Sequence, residues 1–129
     1  MDSTLIEQEV IDELARTIGI EAEVSAITAR AMNGEMDFAA SLRARVGLLK
    51  GVRADVWEGL KGVVTVAEGA AELCRGLKRV GCTMAVVSGG FAPMAEWVGG
   101  RLGLDVVVAN HVCRVFFFRF RVQLFSDVV

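Results

Sequence analysis

The sequence predicts an α/β fold: a parallel sheet carrying helices, beside an all-helical subdomain. Two short apolar runs, residues 83–87 and 106–108, have the composition of buried strands. A segment of helical period precedes each of them, and helix–strand–helix–strand order is the pattern of a parallel sheet. Residues 9–61, by contrast, show only helical periodicity.

Each helix has its own signals. Val10, Ile11, Leu14 and Ile18 share one face, and Gly19 ends the segment. Val24, Ile27, Ala31 and Met32 continue the pattern as far as Asn33-Gly34. A third segment spans residues 37–50, with Asp37 as N-cap and Phe38, Leu42, Val46 and Leu49 on one stripe. A short fourth lies near residues 53–61. In the second half, Ala71, Leu73, Leu77 and Val80 form the apolar stripe expected of a helix over residues 68–80, and Gly81 stops it. Ser88-Gly89-Gly90 reads as a turn before a helix over residues 91–102, which Gly99-Gly100 weaken. The predicted division is therefore an α/β core from residues 1–8 and 66–110, a helical subdomain at 9–65, and a tail at 111–129. Five of the seven Phe residues fall between 116 and 125, interrupted by Arg114, Arg119 and Arg121 in partial strand-like alternation.

Composition narrows the function classes. With 53% apolar and 23% charged residues, the chain buries a core rather than staying disordered. A net charge of −2 with no basic stripe outside the tail gives no nucleic-acid footprint. Cys74, Cys82 and Cys113 are odd in number and form no CxxC, as expected of free thiols in a reducing compartment. Acidic residues occupy the N-terminal region where a signal peptide is basic, and no apolar run approaches the roughly 18 residues of a membrane span. The expectation is a cytoplasmic protein with no membrane and no nucleic-acid partner. Its oligomeric state is open.

Two motifs carry chemistry. Asp2-Ser3-Thr4 leads into a helix, either as a simple cap or as part of a catalytic turn. Ser88-Gly89-Gly90 follows a buried strand and precedes a helix. That placement is commonly just a tight turn, but it also suits an anion site, since glycine frees backbone N–H groups beside a helix N-terminus. Ligands of open α/β sheets bind beyond the carboxyl ends of strands, where this motif falls.

Together the motifs resemble the haloacid-dehalogenase superfamily, and within it the phosphoserine phosphatases. The resemblance runs in order through Asp2-Ser3-Thr4-Leu5-Ile6, Glu9, Ala31-Met32, Gly34-Glu35, Asp37-Phe38, Ser41-Leu42-Arg43-Ala44-Arg45-Val46 and Leu48-Leu49. It continues through Glu68-Gly69-Ala70, Val86-Val87-Ser88-Gly89-Gly90-Phe91, Leu102-Gly103-Leu104-Asp105 and Ala109-Asn110, covering roughly residues 1 to 110.

The resemblance implies a HAD-like Rossmannoid parallel sheet with a helical cap, and hydrolysis of O-phospho-L-serine with Mg²⁺, a step of serine biosynthesis. The family motif Asp-x-Asp-x-Thr pairs a nucleophile, which becomes an aspartyl-phosphate, with a general acid/base two residues on. An i, i+2 spacing on extended chain puts both carboxylates on one face. Asp2 matches the acid/base, and its backbone carbonyl a Mg²⁺ ligand. Ser88 and Gly89 match the phosphate-binding motif. Glu9 matches the acid that binds the substrate amino group, and Arg45 the arginine that pairs with its carboxylate. Met32 and Phe38 match cap residues that shield the site. Without the resemblance, Glu9 reads as a helix-start charge, Arg45 as a snorkelling surface residue, and Met32 and Phe38 as packing.

The sequence also departs from the family. The nucleophilic Asp would lie one position before Met1, so the first strand is expected to be missing and its sheet neighbours left with an open edge. No lysine follows Lys78, and the late Gly-Asp-Gly-x-Asn-Asp metal motif is absent. From His111 onward no resemblance is found, and the tail reads as a shifted frame or broken gene end. The expected function is thus a phosphoserine phosphatase by resemblance that is inactive as written. The alternatives are a non-catalytic interaction module acting through the cap and the Phe-rich tail, and a sister phosphatase for another small phosphomonoester.

Overall fold

The ends of the helical excursion are tied to each other. Ile6, fully buried, bridges Val66 in antiparallel fashion. The Glu7 N–H donates to the Thr65 carbonyl at 3.0 Å, and the Ala67 N–H to the Leu5 carbonyl at 3.0 Å. Gln8 adds a side-chain clamp: its Nε2 donates to Thr65 Oγ1 at 3.2 Å and its Oε1 accepts from the Thr65 N–H at 2.9 Å. The segment between residues 8 and 65 therefore leaves and returns at one point.

The computed structural model describes residues 1–115 and 119–123, with side chains as far as His111. Between the tied ends run α1 (Val10–Ile18), α2 (Glu21–Met32), α3 (Phe38–Leu48) and the short α4 (Val56–Leu60). Val10, Ile11, Leu14 and Ala15 bury one face of α1, which Gly19 ends in the left-handed conformation at φ 74°. Asp37 caps α3 as its position predicts, accepting from the Ala40 N–H at 2.6 Å. Leu42, Val46 and Leu49 are buried, whereas Phe38 is turned outward from that stripe and is 60% exposed. The stripe through Ile27, Ala31 and Met32 also departs from expectation: on α2 only Val24 is buried, and Met32 is exposed. Helix α4 is shorter than the 53–61 segment expected, beginning only at Val56.

The second half contains α5 (Ala70–Arg79), β1 (Ala85–Phe91), α6 (Ala92–Leu102) and β2 (Val106–Val115), with β3 (Arg119–Gln123) beyond. Strands β1 and β2 pair in parallel from Ala85 opposite Val106, as the element order predicted, and β3 pairs antiparallel to β2. Strand β2 is longer than the 106–108 run, and β3 falls in the alternating part of the tail. Phe116, Phe117, Phe118 and Phe125 lie outside the described residues. Two expectations fail here. Helix α5 buries Ala70 and Cys74, whose small side chains permit close approach, and leaves Leu73 and Val80 exposed. Ser88-Gly89-Gly90 is not a turn but the last part of β1. Pairing passes from Val87 opposite Val108 to Phe91 opposite Asn110, so β1 takes four residue steps where β2 takes two. That irregularity is a bulge, which bends a strand and re-aims its side chains.

One core joins the two halves: Ile6, Val10, Leu14, Val24, Leu42, Val46 and Leu60 share a cluster with Met84, Phe91, Met94 and Val98. Trp57 of the helical segment packs on Phe91 with ring centroids 5.4 Å apart. Among the described residues β1 has a strand on one edge only, and Val87 is 72% exposed. No helix among the described residues is long and apolar enough to cross a membrane.

The glycines expected to weaken α6 have a packing reason at Gly99. A Cβ there would lie 2.6 Å from Val107 Cγ2, so only glycine lets α6 approach β2 this closely. Gly99→Ala should destabilise the fold by about 1–3 kcal/mol in urea unfolding. Adding Val107→Ala, which removes the clashing methyl, should recover part of that loss.

Candidate active site

The site forms where the β1 bulge meets the turn at residues 1–5. The Met1 carbonyl accepts from the Leu5 N–H at 2.8 Å and from the Thr4 N–H at 3.2 Å, and Ser3 sits at φ 48°. A positive φ at a non-glycine residue is a strained conformation, of the kind that clusters at functional sites. The turn aims the Asp2 carboxylate at the bulge. A Cβ on Gly90 would lie 3.2 Å from Ser88 Oγ and 3.5 and 3.6 Å from the two Asp2 carboxylate oxygens. Asp2 and Ser88, 86 positions apart in sequence (88 − 2), therefore converge on one glycine.

Hydrogen bonding defines what each group can do. The Gly90 N–H donates to Ser88 Oγ at 3.0 Å, which leaves the Ser88 hydroxyl proton to donate onward. Asn110 Nδ2 donates to the Gly89 carbonyl at 2.8 Å and pins the bulge from β2. Asp2 Oδ2 accepts from the Val10 N–H at 3.1 Å, so Asp2, and not Glu9, caps α1. Asp2 Oδ1 is buried with no hydrogen-bond partner. Burial pushes the Asp2 carboxyl above its ordinary value, the Val10 amide pulls it down, and the neighbouring Glu9 charge raises it further. A carboxyl so placed can hold and release a proton nearer neutral pH than a free Asp.

The remaining residues named from sequence lie around this centre. Phe38 Cζ would stand 3.3 Å from a Cβ on Gly89, so α3 lays an aromatic ring over the bulge despite its exposure. Glu9 is exposed at the start of α1, and its Oε1 accepts from Ser3 Oγ at 2.7 Å. Arg45, half-buried on α3, donates through Nε to the Ser41 carbonyl at 3.4 Å. Met32, at the end of α2, is 83% exposed. Glu9, held by Ser3 and close enough for its charge to act on Asp2, borders the centre formed by Asp2, Ser88, Gly89 and Phe38, whereas no hydrogen bond among the described residues joins Arg45 or Met32 to Asp2 or Ser88.

A family model for haloacid dehalogenase-like hydrolases matches residues 1–121. The chain belongs to this family. Its match runs past Asn110 into the segment where the sequence by itself showed no resemblance. Among relatives of this haloacid dehalogenase-like chain, a probable phosphoserine phosphatase of Schizosaccharomyces pombe is 56% identical over 110 residues, covering 85% of this chain and 37% of the relative. A phosphoserine phosphatase of Methanocaldococcus jannaschii is 45% identical over 111 residues, covering 86% of this chain and 53% of the relative. The chain thus spans between about a third and a half of the length of such relatives. A solved substrate-bound phosphoserine phosphatase complex superposes with a TM-score of 0.80 at 43% identity, over 89% of this chain and 55% of that one.

Two site residues were not singled out from sequence. Gly90 enters the sequence reading only within the Ser88-Gly89-Gly90 motif, and its position between Asp2 and Ser88 follows from the bulge. Asn110 closed the resembling region, but its contact with Gly89 depends on strand register. A pH prediction follows from Asp2. Its pKa is raised on folding, so stability present at low pH is lost as pH rises through the folded value. Asp2→Asn keeps an acceptor for the Val10 amide and removes the buried charge. It should be more stable than wild type in urea at pH 7, with the difference shrinking toward pH 3.5.

Proposed function

We propose that this chain carries the phosphoester-binding and proton-transfer part of a Mg²⁺-dependent, cytoplasmic phosphoserine phosphatase. The observation that carries this reading is the convergence of the Asp2 carboxylate and the Ser88 hydroxyl on Gly90. It is supported by relatives named phosphoserine phosphatase and by the likeness to a substrate-bound complex of that enzyme.

In this proposal each residue has one task. The Ser88 hydroxyl and the Gly89 amide hold the phosphoryl oxygens. Glu9, steadied by Ser3, takes the substrate ammonium, and the Arg45 guanidinium takes the carboxylate. Phe38 and Met32, from a cap formed by residues 9–65, cover the site over the core of residues 1–8 and 66–110. Asp2 gives its proton to the departing serine oxygen, then accepts one from the water that cleaves the aspartyl-phosphate. Its raised pKa suits both steps.

A magnesium ion would supply Lewis-acid neutralisation of the phosphoryl charge. The described residues fit it only in part. Asp2 offers its backbone carbonyl, and its Oδ1 is a buried oxygen without a partner. No group of three acidic, histidine or cysteine side chains is gathered among the described residues, so the ion has no complete ligand set here. In the family motif the nucleophilic carboxylate stands two positions before the residue that Asp2 matches.

Calorimetric titration separates the assigned roles. O-phospho-L-serine and inorganic phosphate should both bind, and Ser88→Ala should weaken each by roughly tenfold. Arg45→Ala should weaken O-phospho-L-serine by a similar factor and leave phosphate unchanged. Binding of O-phospho-L-serine that is indifferent to both substitutions would refute the site.

A further inference from the structure

The apolar stripe of α5 faces away from the core. Leu73 is 63% exposed, Leu77 36% and Val80 75%, at positions i, i+4 and i+7 of one helix face. Gly76 lies beside them at the middle of the stripe, and a Cβ there would meet nothing within 4 Å. A seam of three large apolar side chains around a glycine is the geometry of a helix that another helix can approach closely.

Charge indicates which helix that is. On a 100°-per-residue wheel, Glu72 and Arg79 both flank the stripe on its Gly76 side, one near each end of α5. If a second α5 lies antiparallel across the stripe, a two-fold axis passes near residues 75 and 76. That axis sets Glu72 of each copy beside Arg79 of the other, on the same flank. A parallel pair about a two-fold axis would put these flanks on opposite sides of the seam and make no such contact. Arg79 makes no ion pair among the described residues, and Glu72 holds only an exposed i, i+3 pair with Arg75 at 2.7 Å, which is weak and readily exchanged. The two helix dipoles also run favourably in the antiparallel pair.

We propose that this face is a homodimer interface, with α5 pairing antiparallel with α5 of a second copy about a two-fold axis near Gly76. The surface is isologous, so the assembly closes at two subunits. One helix pair is smaller than a standard interface, so the dimer is weak and reversible, with a Kd on the order of 10–100 µM. This inference is independent of the catalytic proposal, since it uses no residue of that site.

Sedimentation velocity on the 129-residue chain from about 10 µM to 1 mM tests it. Wild type should pass from monomer to dimer over that range. Leu73→Glu, and separately Val80→Lys, should remain monomeric with unchanged thermal midpoints, because both positions are exposed. Glu72→Arg should raise the Kd by roughly tenfold, and the charge-swapped Glu72→Arg/Arg79→Glu double variant should return it to within about threefold of wild type. A wild type that stays monomeric at 1 mM overturns the proposal. So does association that survives both stripe substitutions. Equal Kd values for wild type and Glu72→Arg overturn the antiparallel arrangement.

Discussion

The structure depends on the crossing at Ile6 and Val66. There, a chain excursion of more than fifty residues is closed by a buried apolar residue, a pair of backbone hydrogen bonds and the two-point Gln8–Thr65 clamp. Ordering so long a loop is opposed by chain entropy, though the cost grows only slowly with length. Once the ends are tied, the turn at residues 1–5 is held next to α1, and Asp2 reaches the N-terminal amides of that helix. The same tie directs α3 so that Phe38 lies over Gly89. The site is therefore a product of where the excursion begins and ends as much as of the residues that line it.

Within that frame, the absence of a side chain matters as much as any contact. Gly90 lies between the Asp2 carboxylate and the Ser88 hydroxyl, where an added Cβ would crowd the hydroxyl at 3.2 Å, and Gly99 admits α6 to the sheet. At Gly99 a methyl group would occupy space that the packing of α6 on β2 requires. The bulge at Ser88–Gly90 has a related purpose. An uninterrupted strand alternates its side chains between two faces, whereas the extra residues turn the Ser88 hydroxyl to accept from Gly90 beside Asp2. Asn110 then fixes the bulge from the neighbouring strand.

Asp2 combines opposing influences on its charge. Burial disfavours the carboxylate, while the first amide of α1 favours it. One oxygen is used by the helix and the other is left without a partner. This division gives the group a fixed orientation through Oδ2 and chemical freedom at Oδ1. A carboxyl bonded through both oxygens would be better satisfied and less able to exchange a proton or meet a ligand.

Much of this was legible in the sequence. Helical period placed α1, α3 and α6 to within a residue or two, and Gly19 and Asp37 marked an end of α1 and of α3 because they act on backbone immediately beside them, whereas the C-cap Gly103 of α6 carried no such reading. Apolar runs marked both parallel strands, and the spaced motifs around Asp2 and Ser88 marked the family. What sequence periodicity could not decide was which of two apolar faces α5 would bury. Leu73, Leu77 and Val80 are larger than Ala70 and Cys74, yet the smaller pair faces inward because the helix must approach its neighbours closely. Nor could it show that Ser88-Gly89-Gly90 extends a strand instead of ending it, since a bulge is defined by the partner's register. Local chemistry is written in neighbouring residues. The choice of a buried face and the meeting of Asp2 with Gly90 depend on contacts between distant parts of the chain, and only the tertiary structure decides them.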